Sequence, residues 1–107
     1  MFGIVMITCP LEFAEIITSL LLEKRMAAAV NILPTIQSWY WWENSIQSTK
    51  EALLFVKTLR SQFPQIEQTV RQLHPYQVPS IVMLPIVDGT DDYLNWISQE
   101  VKTNLAT

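Results

Sequence analysis

The side chains in this chain of 107 residues that could take part in chemistry are few. His74 is the only histidine and Cys9 the only cysteine. Imidazole and thiolate groups are ligands for copper and zinc, but a protein metal site normally uses three or four ligands. His74 and Cys9 are therefore weak candidates for metal ligands, and a small buried hydrophobic residue is the favoured interpretation of Cys9.

His74 has three interpretations. It ends a predicted helix and stands directly before Pro75, which favours a ring that caps or packs the helix end. Contact with a ligand in a cleft is the second interpretation, and metal binding is the third.

Lys57 interrupts the apolar run LLFVKTL at residues 53–59. A lysine in such a strand needs an acidic partner or an anion. Glu51 shares a strand face with Lys57 but lies near 20 Å away at ~3.3 Å per residue. A structural ion pair with another strand or subunit and an anion-binding cleft are both consistent with this placement. Tyr40 is interpreted first as core or interface, and second as a ring that stacks on a ligand.

Charge and motifs exclude several functional classes. The net charge is −3 and no basic block is present, so we expect no nucleic-acid binding. The sequence has no Ser-His-Asp arrangement, no HExxH and, with two glycines, no phosphate-binding loop, so we expect a protein that is not an enzyme. No run approaches the ~18 apolar residues of a membrane helix. A lone cysteine and a strand-like N-terminus without a basic signal segment favour the cytoplasm.

The hydrophobic pattern predicts a single domain over residues 1–107. The predicted strands are 3–9, 27–42, 46–60 and 80–87, and the predicted helices are 11–25, 64–74 and 90–105. Segment 46–60 could also be a helix, but its polar start and the preceding turn favour a strand. We expect a bulge or an edge at Pro34, and Asn44 is the residue of turn 43–45 most tolerant of a positive φ. This order is the α+β ferredoxin-like βαββαβ sandwich with a long β-hairpin and an extra C-terminal helix, with helices on one face of the sheet.

Large apolar side chains occupy both faces of the long hairpin. Strict alternation places Trp39 and Trp41 with Leu33 on one face. The other face then holds Val30, Ile32, Ile36, Tyr40 and Trp42. Each aromatic ring can bury ~150–250 Å², worth roughly 4–6 kcal/mol, and several together exceed the patch that a monomer usually exposes. We therefore predict an obligate homo-oligomer with Trp39, Trp41 and Trp42 in its interface; the alternative is a monomer that uses these rings as a ligand platform.

Two long segments resemble the signatures of the CutA divalent-cation-tolerance family. AAAVNILPTIQSWYWWENSIQSTKEALLFVKT at 27–58 resembles A-C-V-N-I-x-P-x-I-x-S-x-Y-x-W followed by E-x-x-L-x-x-K-T. HPYQVPSIVMLPIVDGTDDYLNWI at 74–97 is similar to H-P-Y-x-x-P-E-I-x-x-x-P-I with a closing Y-L-x-W-I. The chain has Ala29 and Ser80 where the family often has Cys and Glu.

The resemblance implies a ferredoxin-like homotrimer with an architecture like that of the PII signalling proteins. It implies a role in tolerance of divalent cations, copper above all, although no cofactor is firmly implied. The alternatives are a PII-like sensor that binds a small anion in clefts between subunits, and a structural docking trimer. The expected cleft residues are Lys57, Glu51, Tyr40 and His74.

Overall fold

The computed structural model describes residues 1–101 of the chain. Its elements are β1 (Phe2–Cys9), α1 (Leu11–Glu23), β2 (Ala29–Trp42), β3 (Ser45–Leu59), a 3-10 turn (Arg60–Gln62), α2 (Phe63–Leu73), β4 (Ile81–Pro85) and α3 (Asp91–Glu100). This confirms the predicted order of strands and helices. None of the helices in this part of the chain is long and apolar enough to cross a membrane.

The four strands form one antiparallel sheet in the order β2-β3-β1-β4. This is the strand order of a ferredoxin-like fold, as the sequence predicts. Segment 45–59 is a strand because it pairs with β1 along one edge and with β2 along the other.

The hydrophobic core lies between one face of this sheet and helices α1 and α2. The helix-packed face is defined by alternate residues of the two central strands, among them Val5, Ile7, Leu54 and Val56. They pack with fully buried side chains of the two helices, which are Ile17, Leu21, Ile66 and Val70. The intervening residues of the central strands, among them Thr8, Glu51 and Lys57, define the second face.

The ends of several elements differ from the predicted ones. Helix α1 stops at Glu23 and not at Arg25, because Arg25 takes a left-handed backbone with φ of 59°. The Met26 N–H then donates to the Leu21 carbonyl, which closes the helix end. β4 is also shorter than predicted, and residues 102–105 of the predicted last helix lie outside the described part.

Helix α3 covers part of the second face, whereas the sequence led us to expect helices on one face only. It contacts β3, and the ring of its Tyr93 lies 5.4 Å from the Nζ of Lys57. An ion pair of 2.7 Å between Arg25 and Glu100 joins the end of α3 to the end of α1. Both ends of α3 are thus attached to the rest of the domain.

Candidate functional site

The long hairpin projects beyond the rest of the sheet. β1 ends at Cys9, which pairs with Ala52, whereas β3 begins at Ser45. Residues 45–51 therefore pair with no strand other than β2, and at ~3.3 Å per residue they extend roughly 20 Å past the end of β1. The projecting part carries the four consecutive aromatic residues 39–42.

A groove of about 520 Å³ lies between this hairpin and segment 76–80, which leads into β4. Residues 39–42 and Tyr76 supply aromatic surface, and Thr8, Ser38, Gln77, Val78 and Ser80 complete the lining. Glu51 is the only charged residue among those that line it.

The Glu51 carboxylate lies almost wholly inside the protein, with 7% of the residue exposed. The Tyr76 hydroxyl donates a hydrogen bond of 3.1 Å to its Oε1 atom. Burial of the phenol, and then its hydrogen bond to Glu51, raises the pKa of Tyr76 to about 12. Although 36% of Tyr76 is exposed, its hydroxyl end points toward the buried carboxylate. Tyr76 therefore stays protonated at neutral pH and acts as a donor.

A β-bulge in β2 decides which aromatic residues share a face with Glu51. Leu33 pairs with Leu53, but the next pair is Ile36 with Glu51, so β2 uses one residue more than β3. The extra residue shifts the alternation. Tyr40 and Trp42 consequently lie on the second face with Glu51, whereas Trp39 and Trp41 lie on the opposite face.

This bulge corrects the face assignment made from the sequence. Leu33 shares the second face with Ile36, Tyr40 and Trp42, and Val30 and Ile32 lie on the helix-packed face. Strict alternation across Pro34 gives the wrong faces, because the irregularity expected there adds a residue to β2 and reverses the faces on its two sides.

His74 holds the start of segment 76–80 in place. Its Nδ1 accepts a hydrogen bond of 3.2 Å from the Tyr76 N–H, and its Nε2 lies 2.6 Å from the Thr8 carbonyl oxygen. Because Nδ1 accepts, the proton is on Nε2, which donates to Thr8. Both ring nitrogens are thus engaged, and His74 itself does not line the groove. It orients Tyr76 and Thr8, which do.

Lys57 lies outside the groove. It pairs in register with Ile4 and Ala29, and its ammonium group lies against the Tyr93 ring of α3. Of the four predicted cleft residues, one subunit therefore brings Glu51 and Tyr40 to the groove, places His74 beneath it and leaves Lys57 elsewhere.

Cys9 lies on the helix-packed face with no exposed surface. Burial, with a contribution from the negative charge of Glu51, raises the pKa of the Cys9 thiol to about 11. The thiol is therefore protonated at neutral pH, whereas a metal ligand must be a thiolate.

The donor groups of one subunit do not fit a metal site. Within residues 1–101, no three His, Cys, Asp or Glu side chains come together as a metal-binding group. The two weak candidates, His74 and Cys9, are engaged in hydrogen bonds or sealed in the core.

Trp39 and Trp41, which the sequence assigns to a trimer interface, are exposed in the single subunit. Their exposed fractions are 68% and 71%, and that of Trp42 is 40%. Tyr76 was not selected from the sequence as a site residue. Its place in the HPY segment, one residue beyond the helix-ending His-Pro pair, is the signal that could have found it.

Comparison with known proteins gives consistent matches along almost the whole chain. The family model described as CutA1 divalent ion tolerance protein matches residues 3–100. The divalent-cation tolerance protein CutA of Thermus thermophilus is 44% identical over 97 residues, which are 90% of this chain and 94% of that protein. The corresponding protein of Archaeoglobus fulgidus is 41% identical over 103 residues, which are 95% of this chain and 100% of that protein.

Solved structures agree with these matches. The structure described as the periplasmic divalent cation tolerance protein CutA from Archaeoglobus fulgidus superposes with a TM-score of 0.92 at 40% identity. The superposition covers 95% of this chain and all of that chain, 100%.

Proposed function

This chain belongs to the CutA1 divalent ion tolerance protein family, and on that basis we propose that it works as a non-enzymatic homotrimer in the tolerance of divalent cations. The observation that carries the assembly is the exposed hairpin. Trp39 and Trp41 leave more than two thirds of their surface in water in one subunit. Aromatic surface of this size is stable in solution when a second molecule covers it.

Solution molar mass tests the assembly. A trimer has a mass of about 37 kDa, three times the 12.4 kDa of one chain. Light scattering after size exclusion should give this value and hold it on dilution. A folded species of 12.4 kDa at high dilution would contradict the proposal.

We propose copper as the first cation to test for the tolerance role. A strain that lacks the gene should grow more slowly than its parent in elevated copper, and expression of this chain should restore growth. Equal growth of the two strains in copper, zinc and other divalent cations would contradict the role.

Direct metal binding is a separate question, because the donors of one subunit do not form a copper site. We therefore expect titration calorimetry with copper or zinc to give no tight site contained within one subunit. Tight binding of either one or three ions per trimer would require donors shared between copies. Tight binding by a dissociated single subunit would contradict this expectation.

The two alternatives from the sequence have less support. An anion sensor needs a basic group in the cleft, and Lys57 does not line the groove of its own subunit. A docking trimer needs no ligand, and it is the function to pursue if the growth test and the binding tests are both negative.

We also propose a cytoplasmic location, on the basis of the single thiol and its burial. The solved relative from Archaeoglobus fulgidus is described as periplasmic, so location needs its own test. Cell fractionation should place this chain in the cytoplasmic fraction.

A further inference from the structure

We propose that the groove beside the hairpin binds a small organic cation, such as a methylated ammonium group, with Glu51 as its counter-charge and Tyr40 and Tyr76 as its aromatic walls. This goes beyond a role in tolerance of divalent cations, which does not require an organic ligand.

The Glu51 carboxylate has no basic partner among the described residues. The ion pairs there are Arg25 with Glu100 and Arg71 with Glu67. The hydrogen bond that Glu51 accepts comes from Tyr76, a neutral phenol. A carboxylate that is more than nine-tenths buried is costly without a positive counter-charge. A cationic ligand in the groove would supply the counter-charge that Glu51 lacks among the described residues.

The aromatic residues strengthen this preference for positive charge. The face of an aromatic ring carries a partial negative charge and attracts ammonium and guanidinium groups. The bulge in β2 places Tyr40 and Trp42 on the same face as Glu51, and the Tyr76 hydroxyl contacts the carboxylate directly. A groove that holds both a carboxylate and aromatic rings suits an organic cation. Trp42 pairs with Ser45, six residues from Glu51, and so lies roughly 20 Å further along the hairpin, away from the carboxylate.

The same groove suits neither an anion nor a bare metal ion. No lysine or arginine is among its lining residues, so an anion would meet only negative charge. Calcium takes six to eight oxygen ligands and zinc about four ligands, whereas the groove offers one carboxylate. An organic cation needs no such ligand set, because it carries its own apolar surface.

The size of the groove also fits a small organic ligand. Its volume of about 520 Å³ lies within the roughly 300–1,000 Å³ usual for small-molecule sites. Trp39 and Trp41 also border the groove, but strand alternation places them on the opposite face of the hairpin from Glu51, the face we assign to contacts between subunits.

A basic side chain from a second copy is the competing occupant. It would satisfy Glu51 in the assembled protein and leave no room for a ligand. If a basic side chain of a second copy occupies the groove, loss of the carboxylate weakens the assembly. If an organic cation occupies it, loss of the carboxylate abolishes ligand binding.

The test is a calorimetric titration of the assembled protein with choline and, separately, with 3,3-dimethyl-1-butanol, its uncharged carbon analogue. Tryptophan fluorescence at matched ionic strength follows the same titrations. We expect choline to bind at least about tenfold more tightly than the analogue, and a phosphate titration to give no binding. Equal affinity for the two compounds, or no saturable binding of choline, would overturn the proposal.

Two variants and a control assign the binding to these residues. Glu51→Gln should weaken choline binding at least about tenfold without changing the molar mass. Glu43→Gln removes the same charge at the exposed hairpin turn, outside the groove lining, and should leave affinity unchanged. A loss of quaternary structure in Glu51→Gln would identify a basic residue of a second copy as the occupant and would overturn the proposal.

Tyr40→Leu keeps the result interpretable if Glu51→Gln does not fold. It should weaken choline binding several-fold and change the affinity for the carbon analogue by no more than about twofold, because leucine keeps apolar surface without the ring. Equal losses for both compounds would mean that the groove is merely apolar, and the proposal would fail.

Discussion

Cys9 and Tyr76 are the two residues whose protonation the fold alters most clearly. Both lie near Glu51, and burial is the larger cause in each case. The thiol pKa rises from 9.0 to about 11 and the phenol pKa from 10.0 to about 12. The folded protein thus holds both protons more tightly than the unfolded chain does.

These shifts predict a loss of stability in alkali. Below pH 9 both states are protonated and the contribution of each group is fully present. As pH rises from about 9 to about 11 the unfolded chain loses the Cys9 proton first, so the free energy of unfolding falls by at most roughly 2–3 kcal/mol. Loss of the Tyr76 proton from the unfolded chain lowers the free energy of unfolding further between about pH 10 and 12.

Urea unfolding across this pH range measures the effect. Cys9→Ala should flatten the fall between about pH 9 and 11, and Tyr76→Phe should flatten the part between about 10 and 12. Parallel curves for wild type and both variants would show that neither group causes the pH dependence of stability.

A thiol reagent at neutral pH should also leave Cys9 unmodified until the protein unfolds, because the side chain has no exposed surface.

At the scale of elements, the β2–β3 hairpin depends on its turn and its bulge. Glu43 and Asn44 both have positive φ, at 50° and 66°, which is the geometry of a type I′ turn. Asparagine tolerates this region and glutamate does so poorly. The turn is therefore built from one suitable residue and one strained residue.

The pair of changes Glu43→Asn and Asn44→Gly should relieve this strain. Asn-Gly is the preferred type I′ sequence, so we expect the free energy of unfolding to rise by about 0.4–1 kcal/mol. Thermal unfolding measures the gain. Asn44→Val is the matched control and should lower stability, since a β-branched residue is strained at positive φ. Equal melting temperatures for all three proteins would contradict the assigned turn.

At the scale of the whole molecule, the exposed apolar surface is concentrated on the projecting hairpin. The molecule measures 44 × 29 × 21 Å, an elongated shape in keeping with a hairpin that extends beyond the sheet. If partner subunits cover this hairpin, the free energy of folding and that of assembly are coupled.

Trp41→Ala and Trp39→Ala test this coupling. Each should lower the melting temperature and promote dissociation, with a cost on the order of 2 kcal/mol or more if the ring lies at the centre of an interface. Val87→Ala is the control, because Val87 is 93% exposed but lies outside the hairpin. A tryptophan variant that stayed assembled with unchanged melting would remove that residue from the interface.

Hydrophobic periodicity, the turn and helix-end residues and the two family signatures were sufficient to predict the ferredoxin-like fold and a long hairpin with large apolar side chains on both faces. Such patterns are local, so they can be read along the chain without knowledge of distant contacts. Residue types and the family resemblance also grouped Lys57, Glu51, Tyr40 and His74 in one cleft between subunits, and this grouping stays a prediction. The membership of Lys57 in a shared cleft remains a prediction about the assembly.

Only the tertiary structure decided which residues meet. The hydrogen bond between Tyr76 and Glu51 joins residues 25 positions apart, and that between His74 and Thr8 spans 66 positions. Such contacts depend on strand register, and a single extra residue in β2 moves every later side chain to the other face. Alternation along a strand predicts two faces, but the pairing with its neighbour decides which face holds the site.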